Sequence, residues 1–408
     1  PLLFKQENIK ARGIYRRRFC VKTTIAIQPL DLGSMASVLK SAQEIIERHH
    51  YVTHAILNAG LAVWQGLNWP LAIWQMMTSF RTAVTWPKYK RQRAGDLGAD
   101  GYGWVWQCNV AAHYVLVRAL LPAFRATPFK EPSRIVWTGS IEAYERYYHP
   151  EDYQCLDPIK SGPTYESTKY QCELLGLGLD ERLRSEHVKT LPGTPMGEAP
   201  PAALSQVEPR SYISHPGVVA SSMFEDYLGW VLVLALKLVF YLARWVLSPH
   251  HLISAYKAGI VISYLATCPS ERLDTTIRYA PRCNFWGQEY IHRSRIDGWV
   301  TDDDAATEAG KKIMSVASQV AGPGVGGIES EAKGEEGEDA GKHVMELARD
   351  LVGKLEAVAS DVWKQAGAAR LPPFNITTEV PSFLTPSGAN LRSKKASSDD
   401  GSWENVEK

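Results

Sequence analysis

The sequence predicts an α/β fold, a doubly wound parallel sheet with helices on both faces, and three observations predict it. Short apolar and β-branched runs alternate with long segments of helical period, the order that builds a parallel sheet. The strand-like runs end in Asp31, in Asn58-Ala59-Gly60, in Gly139-Ser140 and in His215-Pro216-Gly217, and ligands of open α/β sheets gather at the carboxyl ends of strands. Finally, 408 residues with 45% hydrophobic content suffice for one such domain plus tails.

Composition narrows the function classes. A formal net charge of +1 argues against a nucleic-acid surface, which would show a clustered basic excess. The six cysteines are scattered without paired spacing, so neither a metal site nor a disulfide framework is expected, and a reducing compartment is. Residues 1–22 are basic and polar with no signal-peptide pattern, and the start at Pro1 reads as an N-terminal truncation.

Taken in order, Thr23–Leu30 reads as a first strand ending at Asp31, and Ser34–His50 as a helix burying Val38, Leu39, Ile45 and Ile46. Asp31 is placed either to contact an adenosine or to cap that helix. Ala55–Leu57 is a buried strand ending in Asn58, with small residues that let a flat ligand approach the backbone. Trp104–Pro122 reads as a long helix carrying Asn109 and His113. A mid-helix Asn either holds a water chain or bends the helix; His113 reads as a core or network histidine. Arg134–Ser140 is a third strand with Ser140 at its tip, where a hydroxyl can donate to a substrate carbonyl. Ser211–Ser214 is a further strand, and Pro216-Gly217 turns the chain so that backbone faces a ligand. Leu191–Arg210 is a Pro-rich loop insertion.

Tyr165 and Lys169, in Thr164-Tyr165-Glu166-Ser167-Thr168-Lys169, lie four apart and share a helix face. A phenol is a weak acid near neutrality, with a pKa near ~10. A neighbouring ammonium stabilises its phenolate and eases proton donation, as carbonyl reduction requires.

Asp31-Leu32, Asn58-Ala59-Gly60, Asn109, Ser140, Tyr165/Lys169 and Pro216-Gly217 occur in the order seen in the short-chain dehydrogenase/reductase family, which residues 23–300 resemble. Three segments, Gly66–Pro70, Gly103–Asn109 and Arg278–Trp299, are most similar to the family's fungal branch that reduces 3-ketones of sterol intermediates in C-4 demethylation and ergosterol synthesis. The resemblance implies a Rossmann-like sheet and NADPH as cofactor. It also implies that Tyr165 is the proton donor, Lys169 its activator and ribose ligand, Ser140 the orienter of the ketone, and Asn109 the anchor of a relay water. Asp31 and Asn58 would contact the adenosine, and Val218, Val219 and Ser221 the nicotinamide end. Two departures stand out. Glu142–Pro158 lengthens the interval between Ser140 and Tyr165 and is expected to line the substrate mouth. The family's first strand and glycine-rich turn are missing, and with them the backbone cradle for pyrophosphate. This chain is therefore expected to bind nicotinamide cofactor weakly.

Two apolar inserts suggest a membrane-facing enzyme. Residues 227–247 are long enough to span a bilayer, yet Asp226, Lys237 and Arg244 fall on one helical stripe. An interfacial helix, a spanning helix and a lid over the substrate all stay open. Residues 61–100 carry Trp64, Trp69, Trp74 and Trp86, which suit either a headgroup boundary or a core. Residues 301–342 read as a flexible linker, 343–365 as an amphipathic helix that packs on the domain or binds a partner, and 366–408 as a disordered tail in which Asn375-Ile376-Thr377 is a sequon by pattern only. The expected partners are a lipophilic sterol ketone, the surface of the endoplasmic reticulum or a lipid droplet on its cytosolic face, and other sterol-synthesis enzymes. Reduction of another lipophilic ketone or retinoid, and a cofactor-free scaffold role, are the competing readings.

Overall fold

The structure, a computed structural model, describes residues 23–190, 207–220, 230–299, 325–329 and 335–367. Four parallel strands form its centre: β1 (His54–Leu57), β4 (Arg134–Thr138), β5 (Arg210–Ser214) and β8 (Arg278–Cys283), adjacent in that order. The order is extended by β9 (Glu289–Ser294), which is antiparallel to β8, and by β10 (Val325–Glu329), parallel to β9. The purely parallel expectation is thus corrected to a mixed sheet. The reversal comes from a tight turn in which Asn284 and Gln288 bond to each other through backbone and side chains, with Gly287 at φ 75°.

Side chains alternate across the sheet as a strand's period of two demands. Ile135, Trp137 and Ile213 face one layer of helices: α1 (Met35–Arg48), α4 (residues 104–125) and α5 (Thr164–Thr190). Val136, Tyr212 and Tyr279 face the other, packing on Val261 and Leu265 of α7 (Ile260–Thr267). Helices on both faces make the sheet doubly wound. Between β1 and β4 lie the hairpin β2 (Trp64–Leu67) and β3 (Lys90–Gln92), enclosing α2 (Trp69–Thr78) and α3 (Phe80–Thr85). The helix α4 comprises Trp104–Trp106, a π-helical turn Gln107–Ala111 and Ala112–Arg125, running past Pro122 where the sequence predicted its end. After β5 come β6 (Val218–Val219), α6 (Trp230–Trp245) and β7 (His251–Ile253).

Thr23–Leu30 is not a strand. It pairs with no ladder, and Ile25 and Ile27 are 88% and 90% exposed. A β-branched run becomes a strand only where a neighbour supplies the hydrogen bonds, and no described strand lies beside this one. The linker reading of 301–342 is also corrected in part: 325–329 is a strand, and the last helix, α8 (Glu335–Gln365), starts well before residue 343. Helix α8 packs on the domain, burying Val344, Leu351, Leu355, Val362 and Trp363 against α4 and α5. Glu356 accepts from Tyr114 Oη (2.8 Å) and Arg118 Nε (2.7 Å), fixing the helix's register. Gly178 of α5 lets it come close, since a Cβ there would lie 2.7 Å from the Ala348 carbonyl oxygen.

Among the described residues no helix is long and apolar enough to cross a membrane. Asp226 lies outside the described residues. Lys237 is exposed, but Arg244 is buried, with its guanidinium 4.8 Å from the Tyr241 ring centroid, so the two do not form an exposed charged stripe. Helical period places them together, but burial of the inward face of α6 takes Arg244 with it.

Candidate active site

Strand β4 ends at Thr138, and the next two residues turn sharply over the start of α5. Gly139 donates its N–H to the Ser214 carbonyl (2.7 Å), and a Cβ at Gly139 would lie 2.4 Å from Glu173 Oε1. Only glycine therefore leaves room for that carboxylate beneath the turn. Glu173, one turn beyond Lys169, accepts the Ser140 backbone N–H and pairs with Arg278 at 3.2 Å. Burial outweighs Arg278 and pushes the Glu173 carboxyl up to about 7.

This support brings Ser140 beside Tyr165: both line one cavity, and Ser140 Oγ accepts the Glu142 N–H (3.2 Å). Lys169 Nζ donates to the Thr138 carbonyl (2.9 Å) and stands 5.7 Å from the Tyr165 ring centroid. The three residues therefore meet at the tip of β4. The expectation that Lys169 makes the phenol more acidic meets a larger opposing effect. Burial, followed by the Glu142 carboxylate, pushes the Tyr165 phenol up, with the Ser140 hydroxyl opposing, while burial pulls the Lys169 ammonium down.

Asn109 sits inside the π-helical turn of α4, and its side chain is committed locally. Its Oδ1 accepts the Leu61 N–H (2.8 Å), and its Nδ2 donates to the Leu61 carbonyl (2.9 Å) and Thr168 Oγ1 (3.0 Å). It ties the loop after β1 to the catalytic helix. The Asn109 carbonyl is met by His113 Nδ1 (3.2 Å) and the Cys172 thiol (3.3 Å). Burial, followed by the charge of Lys169, holds His113 down at about 4, so it is neutral and internal, as its apolar setting predicts.

The cofactor residues are spread more widely. Val218 and Val219 share one cavity with Ser140 and Tyr165, whereas Ser221 lies outside the described residues. Asn58 is exposed at the tip of β1. Asp31 is exposed and accepts the Gly33 N–H (2.8 Å) in a local turn, while Ser34 caps the following helix. At the nicotinamide–ribose end the chain fits the group: a Cβ at Gly60 would lie 2.9 Å from Asn109 Oδ1 and 3.5 Å from Lys169 Nζ, so its absence keeps that space open. The diphosphate end does not fit among the described residues. The N-terminus of α1 is already met by the Ser34 hydroxyl and by Asp100, whose carboxylate takes the Met35 N–H at 2.8 Å. The Asp31 and Asp100 carboxylates there oppose a further anion.

The cavity measures about 570 Å³ and is walled mainly by apolar side chains: Leu67, Ile73 and Met77 on one side, Leu236, Val239 and Phe240 of α6 on the other, with Trp64 beside Tyr165. Of the Glu142–Pro158 segment only Glu142 lines it. Elsewhere in the segment Tyr148 and Cys155 are buried in the domain and the Pro150 carbonyl is bonded to Lys354 of α8 (2.7 Å). The mouth-lining expectation is corrected accordingly. Two carboxylates and a lysine at this site were not foreseen: Glu173, Glu142 and Lys90. Glu173 carried one legible signal, since it lies four residues beyond Lys169 and hence on the same helical face.

The 3-keto-steroid reductase of Eremothecium gossypii is 30% identical over 269 residues, 66% of this chain and 69% of that protein. The chain belongs to the 3-keto-steroid reductase family. The 3-keto-steroid reductase erg27 of Aspergillus fumigatus is 29% identical over 302 residues, 68% of this chain. The chain spans 66% of that relative, about two-thirds of its length. No protein-family model matches the chain. Among solved structures, the Pseudomonas aeruginosa RhlG/NADP active-site complex is similar at a TM-score of 0.36 and 18% identity, covering 60% of this chain and 72% of that one.

Proposed function

We propose that the protein reduces the 3-ketone of a sterol intermediate to the 3-hydroxyl with NADPH. One observation carries this reading: Ser140 and Tyr165 stand together on the wall of a mainly apolar cavity of about 570 Å³, with Lys90 and Glu142 the charged groups beside them. That volume falls within the roughly 300–1,000 Å³ of small-ligand pockets. A flat hydrocarbon ketone has one polar atom to satisfy, and the Ser140 and Tyr165 hydroxyls are neutral donors on this wall that can satisfy it. The relatives' names point to the same substrate class.

In the proposed reaction Ser140 and Tyr165 donate to the ketone oxygen and polarise the carbonyl. A nicotinamide cofactor, when bound, would supply the hydride for the carbonyl carbon. Tyr165 then passes its phenolic proton to the oxygen, completing the alcohol. A raised phenol pKa keeps that proton in place until alkoxide character develops, because an alkoxide is a far stronger base than a phenolate. Lys169, held by the Thr138 carbonyl, supplies positive charge beneath the ring.

The walls of the cavity also support a lipid-surface setting at the endoplasmic reticulum or a lipid droplet. Helices α2 and α6 line it with one face and turn apolar side chains outward with the other: Leu71 and Trp74 (67% exposed) on α2, and Leu234, Leu238 (64% exposed) and Trp245 on α6. A substrate dissolved in lipid then needs no aqueous passage to reach Tyr165.

The test is reduction of a 3-keto steroid by the full chain at millimolar NADPH, a level chosen because the described diphosphate end lacks donors. Tyr165→Phe is expected to lower turnover by about 10²–10⁴-fold, the usual contribution of a positioned general acid. Unchanged turnover in Tyr165→Phe, or equal activity toward small hydrophilic aldehydes, would overturn the reading.

A further inference from the structure

The hairpin that carries the tryptophan-rich insert does more than wall the cavity. Gln92 of β3 accepts the Tyr165 backbone N–H (3.0 Å) through Oε1 and donates through Nε2 to Glu166. Lys90 of the same strand bridges Glu142 and Glu166, the latter at 2.9 Å, and lies 4.8 Å from the Trp64 ring centroid. The Trp64 ring in turn lies 5.9 Å from the Tyr165 ring. All three charged side chains are nearly enclosed, with exposures of 13% for Lys90, 16% for Glu142 and 8% for Glu166. Their charges therefore act through protein rather than water.

We propose that Lys90 is a positioning residue that neutralises the Glu142/Glu166 carboxylates beside Tyr165, so that the 61–100 insert sets the electrostatics of the catalytic phenol. Within this cluster, one ammonium against two carboxylates leaves one negative charge, with the Lys169 ammonium on the ring unchanged throughout. Without Lys90 there would be two, and an enclosed pair of like charges disfavours the phenolate that proton donation must leave behind. The geometry serves both requirements. The two carboxylates lie on different elements, the loop after β4 and the first turn of α5, and Lys90 reaches them from a third.

Every group facing the phenol enters this balance: Glu142 and Ser140 from the β4 loop, Glu166, Lys169 and Cys172 from α5, and Lys90 and Tyr89 from the hairpin. Burial lowers the Lys90 ammonium, but the two carboxylates outweigh it and hold the group charged. Among the hairpin groups Lys90 is therefore the counter-charge.

The proposal rests on Tyr165 as the proton donor, so its test reads the phenol without turnover. Tetranitromethane nitrates tyrosine through the phenolate, and the Tyr165 peptide can be followed by mass spectrometry in the full chain. Lys90→Met is expected to slow nitration of Tyr165 about tenfold, which corresponds to one pKa unit. Glu142→Gln, which leaves the Lys90 cluster with no net charge, is expected to speed it. Lys90→Arg and the double variant Lys90→Met/Glu142→Gln, both with the wild-type balance of one negative charge, should return to within about twofold of wild type, inside the spread of single-site context effects. A bridge that merely held the fold would leave the double variant as impaired as Lys90→Met, and that result overturns the proposal, as does unchanged nitration in Glu142→Gln. Failure of the wild-type chain to reduce a 3-keto steroid would count against the proposed function, not against this charge balance.

Discussion

Replacing Glu173 by glutamine should flatten the dependence of stability on pH. Glu173 is buried beneath the Ser140 turn, and burial against Arg278 leaves its carboxyl at about 7 rather than 4.5. A carboxyl whose pKa is raised by folding takes up a proton in the native state that the unfolded chain has already lost. Its contribution is therefore intact below about 4.5, falls as pH rises, and is fully lost above about 7. Between pH 5 and pH 8 that loss amounts to about 2–3 kcal/mol, from 1.36 kcal/mol per pKa unit. The buried histidines His113, His215 and His250, all held low by burial, act in the opposite direction by losing stability as pH falls. They are common to both proteins and cancel in the comparison. In the Glu173→Gln variant the amide oxygen can still accept the Ser140 N–H, and Arg278 facing a neutral amide shifts stability by an amount that does not vary with pH over this range. Urea unfolding midpoints of the wild type and Glu173→Gln, measured at intervals from pH 5 to pH 8, should converge or cross, with the wild type losing the additional 2–3 kcal/mol. Two parallel curves would show that Glu173 does not titrate in this window and would refute the reasoning.

Two further outcomes follow from packing and exposure. Trp363→Ala empties a fully buried site where α8 meets the domain and should cost about 3–5 kcal/mol in urea unfolding; a cost below about 1 kcal/mol would mean that α8 docks without contributing. Replacing Trp74 and Leu238 together by serine should weaken flotation with phospholipid vesicles several-fold while leaving the far-ultraviolet circular dichroism unchanged, because both side chains are exposed on α2 and α6 and neither lines the cavity. Undiminished flotation would remove the lipid-surface reading of these helices.

The parts of the molecule that depend on local pattern were legible in the sequence. The runs at 54–57, 134–138 and 210–214 became strands because each is a short stretch holding apolar, β-branched or aromatic residues, and each ends where small or polar residues begin. Tyr165 and Lys169 share a helix face because four residues make nearly one turn, and Ser140 reaches them because β4 ends beside the start of α5. Only the tertiary structure decided the rest. Thr23–Leu30 has a strand's composition without a strand's neighbour, and Arg244 has a charge that α6 nevertheless turns inward. Whether Tyr165 is acidified by Lys169 or held protonated by burial depends on how deep the phenol lies and on carboxylates brought from Glu142 and Glu166. Lys90 is 75 residues before Tyr165 in the sequence, and no spacing rule connects them. Their meeting depends on the hairpin folding over the tip of β4, because electrostatic interactions follow distance and dielectric in space, while the sequence records only order.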